Sequence, residues 1–208
     1  MDLFRLISRN INRDITCYAF GGNAMMFYGY KDDTKDVDIV FALDAERKEF
    51  MRCLYDLGYR ESSAVTVYVP EKLRDKSKPV VMKTEDGRFD LFVKKVFQTI
   101  LSPAMQKEVY SVHEFQGKGK LAVQVLRKEF IVLLKSVTSR EKDFEDIVTI
   151  MKKEKDFNWQ FLLEEVKWQF SHGDGWVLLD VEKMMQELKE YVFIPEKWFK
   201  ELYAIGKG

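Results

Sequence analysis

The most informative part of the chain reads GGNA at Gly21–Ala24 and TKDVDIVF at Thr34–Phe41. The residues Val37–Leu43 predict a strand. Side chains alternate faces along a strand, so Asp36 and Asp38 point to the same face, with α-carbons about 7 Å apart. Two neighbouring carboxylates repel each other unless a cation lies between them. The pair is therefore a candidate ligand set for a hard cation such as Mg²⁺, which prefers oxygen ligands.

A third carboxylate lies on another predicted strand. Arg88–Val93 and Val80–Thr84 predict a hairpin with a short turn that contains glycine. Asp90 points to the face opposite its apolar neighbours. If this strand lies beside the one that carries the aspartate pair, three carboxylates converge. A two-metal phosphoryl-transfer site needs such a cluster, with ions about 4 Å apart.

The glycine pair lies between a strand and a short helix. Ile15–Phe20 predicts the strand, Gly21 and Gly22 end it, and we expect Asn23 to be the N-cap of a helix over Ala24–Tyr28. Glycine lets a backbone approach a phosphate closely. The free N–H groups at the start of a helix attract anions. This turn is therefore a candidate phosphate-binding element.

The composition excludes several classes of protein. The 34 Lys and Arg balance 34 Asp and Glu, and 46% of the 208 residues are apolar, which is typical of a globular protein. A neutral chain lacks the basic balance that favours nucleic acid, so such a partner would need a local patch. No apolar run approaches the roughly 18–20 residues that span a bilayer, so we expect no membrane partner.

Localisation follows from the cysteines and the first residues. Met1–Thr16 carries charges throughout and does not predict a secretory signal. Cys17 and Cys53 are too few for a disulfide framework or a zinc knuckle. We expect both to be buried thiols in a reducing cytoplasm.

The pattern changes near residue 120, from short strands and turns to helices. We expect an α+β fold with a mixed, twisted sheet flanked by helices, a core domain at 1–125, and a helical C-terminal region at 126–208 packed on the core over its cleft. Asp44 and Gly58 are the expected cap and stop of a helix over Ala45–Leu57. The further predicted strands are Ala64–Val69, Tyr110–Phe115 and Leu121–Val125, and the further predicted helices are 3–11, 127–138, 141–154, 158–170, 180–191 and 195–204.

The order G-G-x-A-M, T-x-D-x-D-I and F-D-L resembles the nucleotidyltransferase superfamily with the polymerase-beta-like fold. Within it, the chain is most similar to toxin-type nucleotidyltransferases of abortive-infection systems and to uncharacterised prokaryotic relatives. The resemblance continues through Leu133–Lys135 and Arg140–Ile147 and covers roughly residues 15–150.

The resemblance implies roles for individual residues. Asp36 and Asp38 would be the metal-binding pair, and Asp90 would accept the acceptor's proton or complete a second metal site. Many members have Gly-Ser in the loop, with a hydroxyl that touches phosphate, whereas this chain has Gly22 and then Asn23, so Asn23 would take that role. The implied nucleotide-binding residues are Gly21, Gly22, Asn23, Thr34, Lys135 and Asp143.

The resemblance also implies the reaction. A nucleoside monophosphate would move from an NTP to a hydroxyl of tRNA, other RNA or protein, with two Mg²⁺ ions and release of pyrophosphate. Two alternatives stay open. Antibiotic-modifying enzymes share the Gly-Gly and D-x-D pattern, so the acceptor could be a small molecule. The chain could also be a non-catalytic nucleotide- or partner-binding module of a toxin–antitoxin-like pair. In either case its protein partner could be a different protein or a second copy of the chain.

Three elements that contain basic residues have plainer interpretations. Lys135 follows an apolar helical run and could extend from a core face to solvent. Arg140, Lys142, Asp143 and Asp146 could be only a helix start with favourable acids in its first turns. The loop Pro70–Pro79 alternates basic and acidic residues, so a solvated loop competes there with a patch that steers RNA or a triphosphate.

Overall fold

The computed structural model divides into two compact units, Met1–Leu126 and Arg127–Gly208. The first unit contains helices and a mixed sheet, and the second is helical. The predicted α+β class is confirmed. The described residues are 2–34, 36–62, 78–138 and 140–207. The predicted strand Ala64–Val69 and most of the charged loop lie outside them.

The described part of the first unit forms a sheet of nine strands with the order β3-β4-β5-β2-β1-β9-β8, while β6 pairs with β5 and β7. Strand β2 is antiparallel to β1 and parallel to β5, and β1 is parallel to β9. Both predicted hairpins are present, as β4–β5 and β8–β9. The strands are β1 Ile15–Phe20, β2 Asp36–Phe41, β3 Arg60–Ser62, β4 Val80–Lys83, β5 Arg88–Val93, β6 Lys95–Val96, β7 Thr99–Ile100, β8 Val109–Gln116 and β9 Lys120–Leu126.

Helices accompany the sheet in the first unit and make up the second. In the first unit they are α1 Asp2–Ser8, α2 Gly21–Phe27, α3 Asp44–Asp56 and α4 Pro103–Lys107. In the second unit they are α5 Lys128–Ser136, α6 Glu141–Lys153, α7 Trp159–His172, α8 Val177–Leu188 and α9 Glu196–Ile205. Among the described residues, no helix is long and apolar enough to cross a membrane.

The main core of the first unit lies on one face of the sheet. Helix α3 packs against β1, β2 and β5 there, and Phe50 and Leu54 of the helix are fully buried. Ile39 of β2 and Leu91 of β5 contribute to the same core. Because side chains alternate along a strand, the aspartates beside these two residues point to the opposite face. The packing of the core therefore determines which face carries the acids.

Several predicted boundaries differ from the observed ones, among them the end of the first helix, which is Ser8, and the bounds of β2. Three of the differences, at the starts of helices, have a local reason. Helix α2 begins at Gly21, and Asn23 does not cap it because its side chain accepts a hydrogen bond from the backbone of β2. Asp44 is the first residue of α3, where its carboxylate pairs with Arg47 and Lys48 instead of capping. Helix α8 begins at Val177, three residues early, because the Asp174 carboxylate accepts the N–H of Trp176 at 2.9 Å and starts the turn.

Candidate active site on the acidic face of the sheet

The sheet register brings the three predicted carboxylates to one face. Strands β2 and β5 are parallel neighbours, and Asp38 is the direct partner of Asp90. Asp36, two residues before Asp38, is the partner of Arg88. Partners on neighbouring strands share a face and lie about 4.8 Å apart. The two strands are therefore adjacent, as convergence of the carboxylates requires.

The carboxylates differ in exposure and partners. Asp36 is exposed, Asp38 is half-buried, and Asp90 is only 4% exposed. Arg88 binds both oxygens of Asp90: its Nε lies 2.6 Å from Oδ1, and its Nη2 contacts Oδ2. A guanidinium that forks onto a carboxylate makes one of the stronger polar contacts in proteins. The least accessible acid of the cluster is thus already paired with a cation of the chain.

Arg88 is a site residue that sequence reasoning missed. The sequence contains the signal, because Arg88 and Asp90 are two positions apart on one predicted strand and must share a face. Arg88 lies outside the F-D-L pattern, which begins one residue later.

The glycine pair lies directly against the start of β2. Gly21 has φ +67°, and a Cβ at this position would overlap the Asp38 carboxylate. A Cβ at Gly22 would lie 3.0 Å from Oγ1 of Thr34. The same Oγ1 is 3.2 Å from the carbonyl oxygen of Asp36, to which it donates. Both glycines and the threonine therefore shape the backbone around the aspartate pair.

Asn23 connects α2 to β2 and has an unused donor. Its Oδ1 accepts the backbone N–H of Asp38 at 3.2 Å, and the residue is 5% exposed. Its Nδ2 is buried and has no hydrogen-bond partner within the described residues. A buried donor without a partner costs about 1–3 kcal/mol. An anionic ligand oxygen at this position would satisfy it.

The donor set fits one hard cation. Mg²⁺ is commonly held by one or two carboxylates, while water and substrate phosphates complete its coordination. The carboxylates of Asp36 and Asp38 lie on one face of β2 and provide two oxygen-donor groups of the kind that such an ion binds. Within the described ranges, no three His, Cys, Asp or Glu side chains form a group that could hold a metal ion. The role of Asp90 in a second metal site stays a prediction, and Arg88 is its present partner.

Lys135 and Asp143, the other predicted nucleotide-binding residues, belong to the second unit. Nζ of Lys135 lies 2.8 Å from Oδ1 of Asp143 and 2.7 Å from Oδ2 of Asp146, and all three side chains are less than one-tenth exposed. Thr138 and Arg140 also bond to Asp143. Lys135 therefore does not extend to solvent, and the two acids are more than favourable charges at a helix start. Whether Lys135 and Asp143 bind nucleotide stays a prediction.

The charges of this buried network stabilise each other. Burial by itself would lower the pKa of Lys135, but the carboxylates of Asp143 and Asp146 raise it above its usual value. Burial by itself would raise the pKa of Asp143, but the charges of Lys135 and Arg140 lower it below its usual value. Lys135 and Asp143 are therefore both charged at neutral pH.

No family model matches the chain, and no curated protein matches it either. Two solved structures are similar over most of the chain. One is a candidate nucleotidyltransferase from H. pylori, with 14% identity over 99% of this chain and 91% of that chain and a TM-score of 0.42. The other is ANT(2″)-Ia in complex with adenylyl-2″-tobramycin, with 13% identity over 89% of this chain and 93% of that chain and a TM-score of 0.41. Neither similarity is close enough to transfer a residue role.

Proposed function

We propose that the protein is a Mg²⁺-dependent nucleotidyltransferase that moves a nucleoside monophosphate from an NTP to a hydroxyl acceptor. The observation that carries this proposal is the pairing of Asp38 with Asp90 across β2 and β5, on the face where Gly21 touches the Asp38 carboxylate. The acceptor oxygen would bond to the α-phosphorus, and the bond from that phosphorus to the leaving pyrophosphate would break. The acceptor's proton would leave to the carboxylate cluster.

In this proposal Asp36 and Asp38 hold the cation. When bound, a divalent ion supplies charge neutralisation and orientation of the triphosphate. The aspartates lie on a strand whose other face is fixed by the core, so their positions are set before substrate arrives. A rigid strand is a more accurate support for such ligands than a loop. Asp90 would be the third carboxylate of the reacting complex.

The turn Gly21–Asn23 would line the triphosphate. The two glycines present backbone without side-chain bulk. The Nδ2 of Asn23 would donate to a phosphate oxygen, in the place of the hydroxyl common at this position. The support for this role is that Nδ2 is buried and has no hydrogen-bond partner within the described residues. Thr34 would act by ordering the start of β2, since its Oγ1 bonds to the backbone of Asp36.

The experiment that tests this function is transfer of label from each α-labelled NTP. Purified protein with Mg²⁺ is incubated separately with total RNA, cell protein and a small-molecule fraction, because each contains one class of hydroxyl acceptor. We expect one fraction to be labelled, and Asp38→Asn to lower the rate at least about 100-fold by removing a cation ligand.

Asp32→Asn is the matched control. Asp32 is an exposed aspartate in the turn before β2, so its replacement removes the same charge outside the site. We expect its rate to stay within twofold of the unmodified protein. Full activity of the Asp38→Asn variant would contradict the proposal. NTP binding without transfer to any fraction would favour the non-catalytic binding module.

A further inference from the structure

Arg88 lies in a row of charged residues that crosses three strands. Its direct partner on β2 is Asp36, and its direct partner on β4 is Lys83. Asp90 follows two positions later on its own strand, on the same face. The side chain of Arg88 is 17% exposed, against 5% for Asp90. The guanidinium is therefore placed inside the acidic cluster, whereas Lys83 is exposed at its margin.

The contact between Arg88 and Asp90 engages both oxygens of the carboxylate. Nε and Nη2 of the guanidinium bind one carboxylate oxygen each. A buried ionised carboxylate without a partner is strongly unfavourable, so a cation beside Asp90 stabilises its charged form. In this structure that cation belongs to the chain. A divalent ion that used Asp90 as a ligand would lie close to the guanidinium, so the two cations would repel each other and compete for the carboxylate oxygens.

We infer that Arg88 is the counter-ion of Asp90 in the metal-free protein and occupies the position that a second divalent cation would otherwise take at this carboxylate. The resting protein would bind one cation through Asp36 and Asp38, and a second would bind only when Arg88 leaves Asp90. This inference rests on the proposed function for the identity of the first cation site. The inference goes beyond that function because it states that Arg88 determines whether one or two divalent ions bind.

Counting bound Mn²⁺ without nucleotide tests the inference. The number of ions is measured by electron paramagnetic resonance of free Mn²⁺ in a titration. We expect one ion at the site of the unmodified protein and two in Arg88→Gln, because that variant removes the guanidinium from both oxygens of Asp90. In Arg88→Gln with Asp90→Asn the count should return to one, because the carboxylate that would bind the second ion is gone.

Lys83→Gln is the matched control for charge. It removes one positive charge from the neighbouring position of the same row, but its side chain is exposed. We expect its Mn²⁺ count to equal that of the unmodified protein. If Arg88→Gln does not fold, Arg88→Lys replaces it. Lysine keeps the charge but lacks the fork, so one oxygen of Asp90 opens and a second, weaker ion should bind.

Three results would overturn the inference: equal Mn²⁺ counts in the Arg88 and Lys83 variants, two ions in the unmodified protein, or no bound ion in any variant. Failure of the proposed function is read separately, from nucleotide transfer and its loss in Asp38→Asn. If transfer depends on Asp38 while the Arg88 variants bind no extra ion, only the inference fails. If the ion counts behave as expected but no transfer is found, only the proposed function fails.

Discussion

The α-carbon of Gly21 lies against the carboxylate of Asp38. A Cβ at this position would overlap Oδ2 of that carboxylate, so the Asp38 side chain would have to move, and the backbone has φ +67°, which favours glycine. The contact joins the end of β1 to the start of β2 at the point where the proposed cation ligands begin. A change at the glycine should therefore affect both folding and the aspartate.

Gly21→Ala should be more damaging than the same change at a glycine with free space. Gly29 has φ +73°, and no atom lies within 4 Å of the position that a Cβ would take there. Gly29→Ala therefore measures backbone strain alone, and we expect it to lower the free energy of unfolding by about 1–2 kcal/mol. Gly21→Ala adds the overlap with Asp38 and should cost more free energy of unfolding. Urea denaturation measures both values. Equal costs would show that the glycine does not touch the carboxylate in solution.

Asn23→Asp isolates the unused donor of Asn23. The oxygen that accepts the Asp38 N–H is kept, but the Nδ2 donor is replaced by a charged oxygen that repels phosphate. We expect the Kd for Mg²⁺–NTP to rise at least about tenfold, since a donor to an anion is lost. Asn12→Asp adds the same charge near the start of β1, at the opposite end of that strand, and should leave the Kd unchanged. Unchanged affinity of Asn23→Asp would exclude Nδ2 as a phosphate donor.

Lys135→Met should strongly destabilise the second unit. It leaves the buried carboxylates of Asp143 and Asp146 without the ammonium, a loss of about 3–5 kcal/mol for a broken buried pair. Lys48→Met breaks an exposed pair with Asp44 and should cost under about 1 kcal/mol. Thermal unfolding of the two variants compares them. Similar losses would mean that the buried network does not stabilise the fold.

The same network predicts how stability depends on pH. The folded pKa of Asp143 is lowered, so its contribution is complete at neutral pH and disappears as the pH falls below about 4, through the folded value. The folded pKa of Lys135 is raised, so its contribution is complete below about 10.5 and disappears at higher pH. In Lys135→Met the cation that lowers the pKa of Asp143 is gone, so the destabilisation should shrink as the pH falls and the carboxylate becomes protonated in both proteins. A destabilisation that stays constant down to about pH 3 would contradict the assignment.

Both thiols should be inert in the folded protein. Cys17 and Cys53 are free and fully buried. Burial raises the pKa of Cys53 to about 11 and raises that of Cys17 further. Reaction with a disulfide reagent at about pH 8 should be slow in the native protein and complete after denaturation, because the thiolate is the reacting form. Rapid labelling of either cysteine in the native protein would contradict the packing of β1 and α3.

Local patterns predicted most of the fold. Ile15–Phe20 and Arg88–Val93 were identified with their observed bounds, because apolar composition and glycine turns are short-range signals. The parallel pairing of β2 with β5 is a long-range contact that no short pattern determines. The sequence therefore predicted the convergence of Asp90 and Asp38 only on the condition that their strands are neighbours. The structure supplies that pairing.

Competition between hydrogen bonds accounts for what the sequence missed at the site. Asparagine is a residue type that often caps helices, but the side-chain oxygen of Asn23 accepts the N–H of Asp38 once β2 is in place. Arg88 is an ordinary strand residue until Asp90 becomes buried and requires a counter-ion. Both partnerships depend on tertiary structure, and both change the interpretation of the site.

The most direct test of the central claim is calorimetric titration of each NTP into the protein with and without Mg²⁺. The measurement is repeated with Asp36→Ala/Asp38→Ala and with Asp32→Ala/Asp33→Ala, which removes two exposed aspartates from the preceding turn. We predict Mg²⁺-dependent binding of at least one NTP that is lost in the first double variant and kept in the second. Equal NTP binding by the two double variants would contradict the account. So would NTP binding by the unmodified protein that is equally strong with and without Mg²⁺.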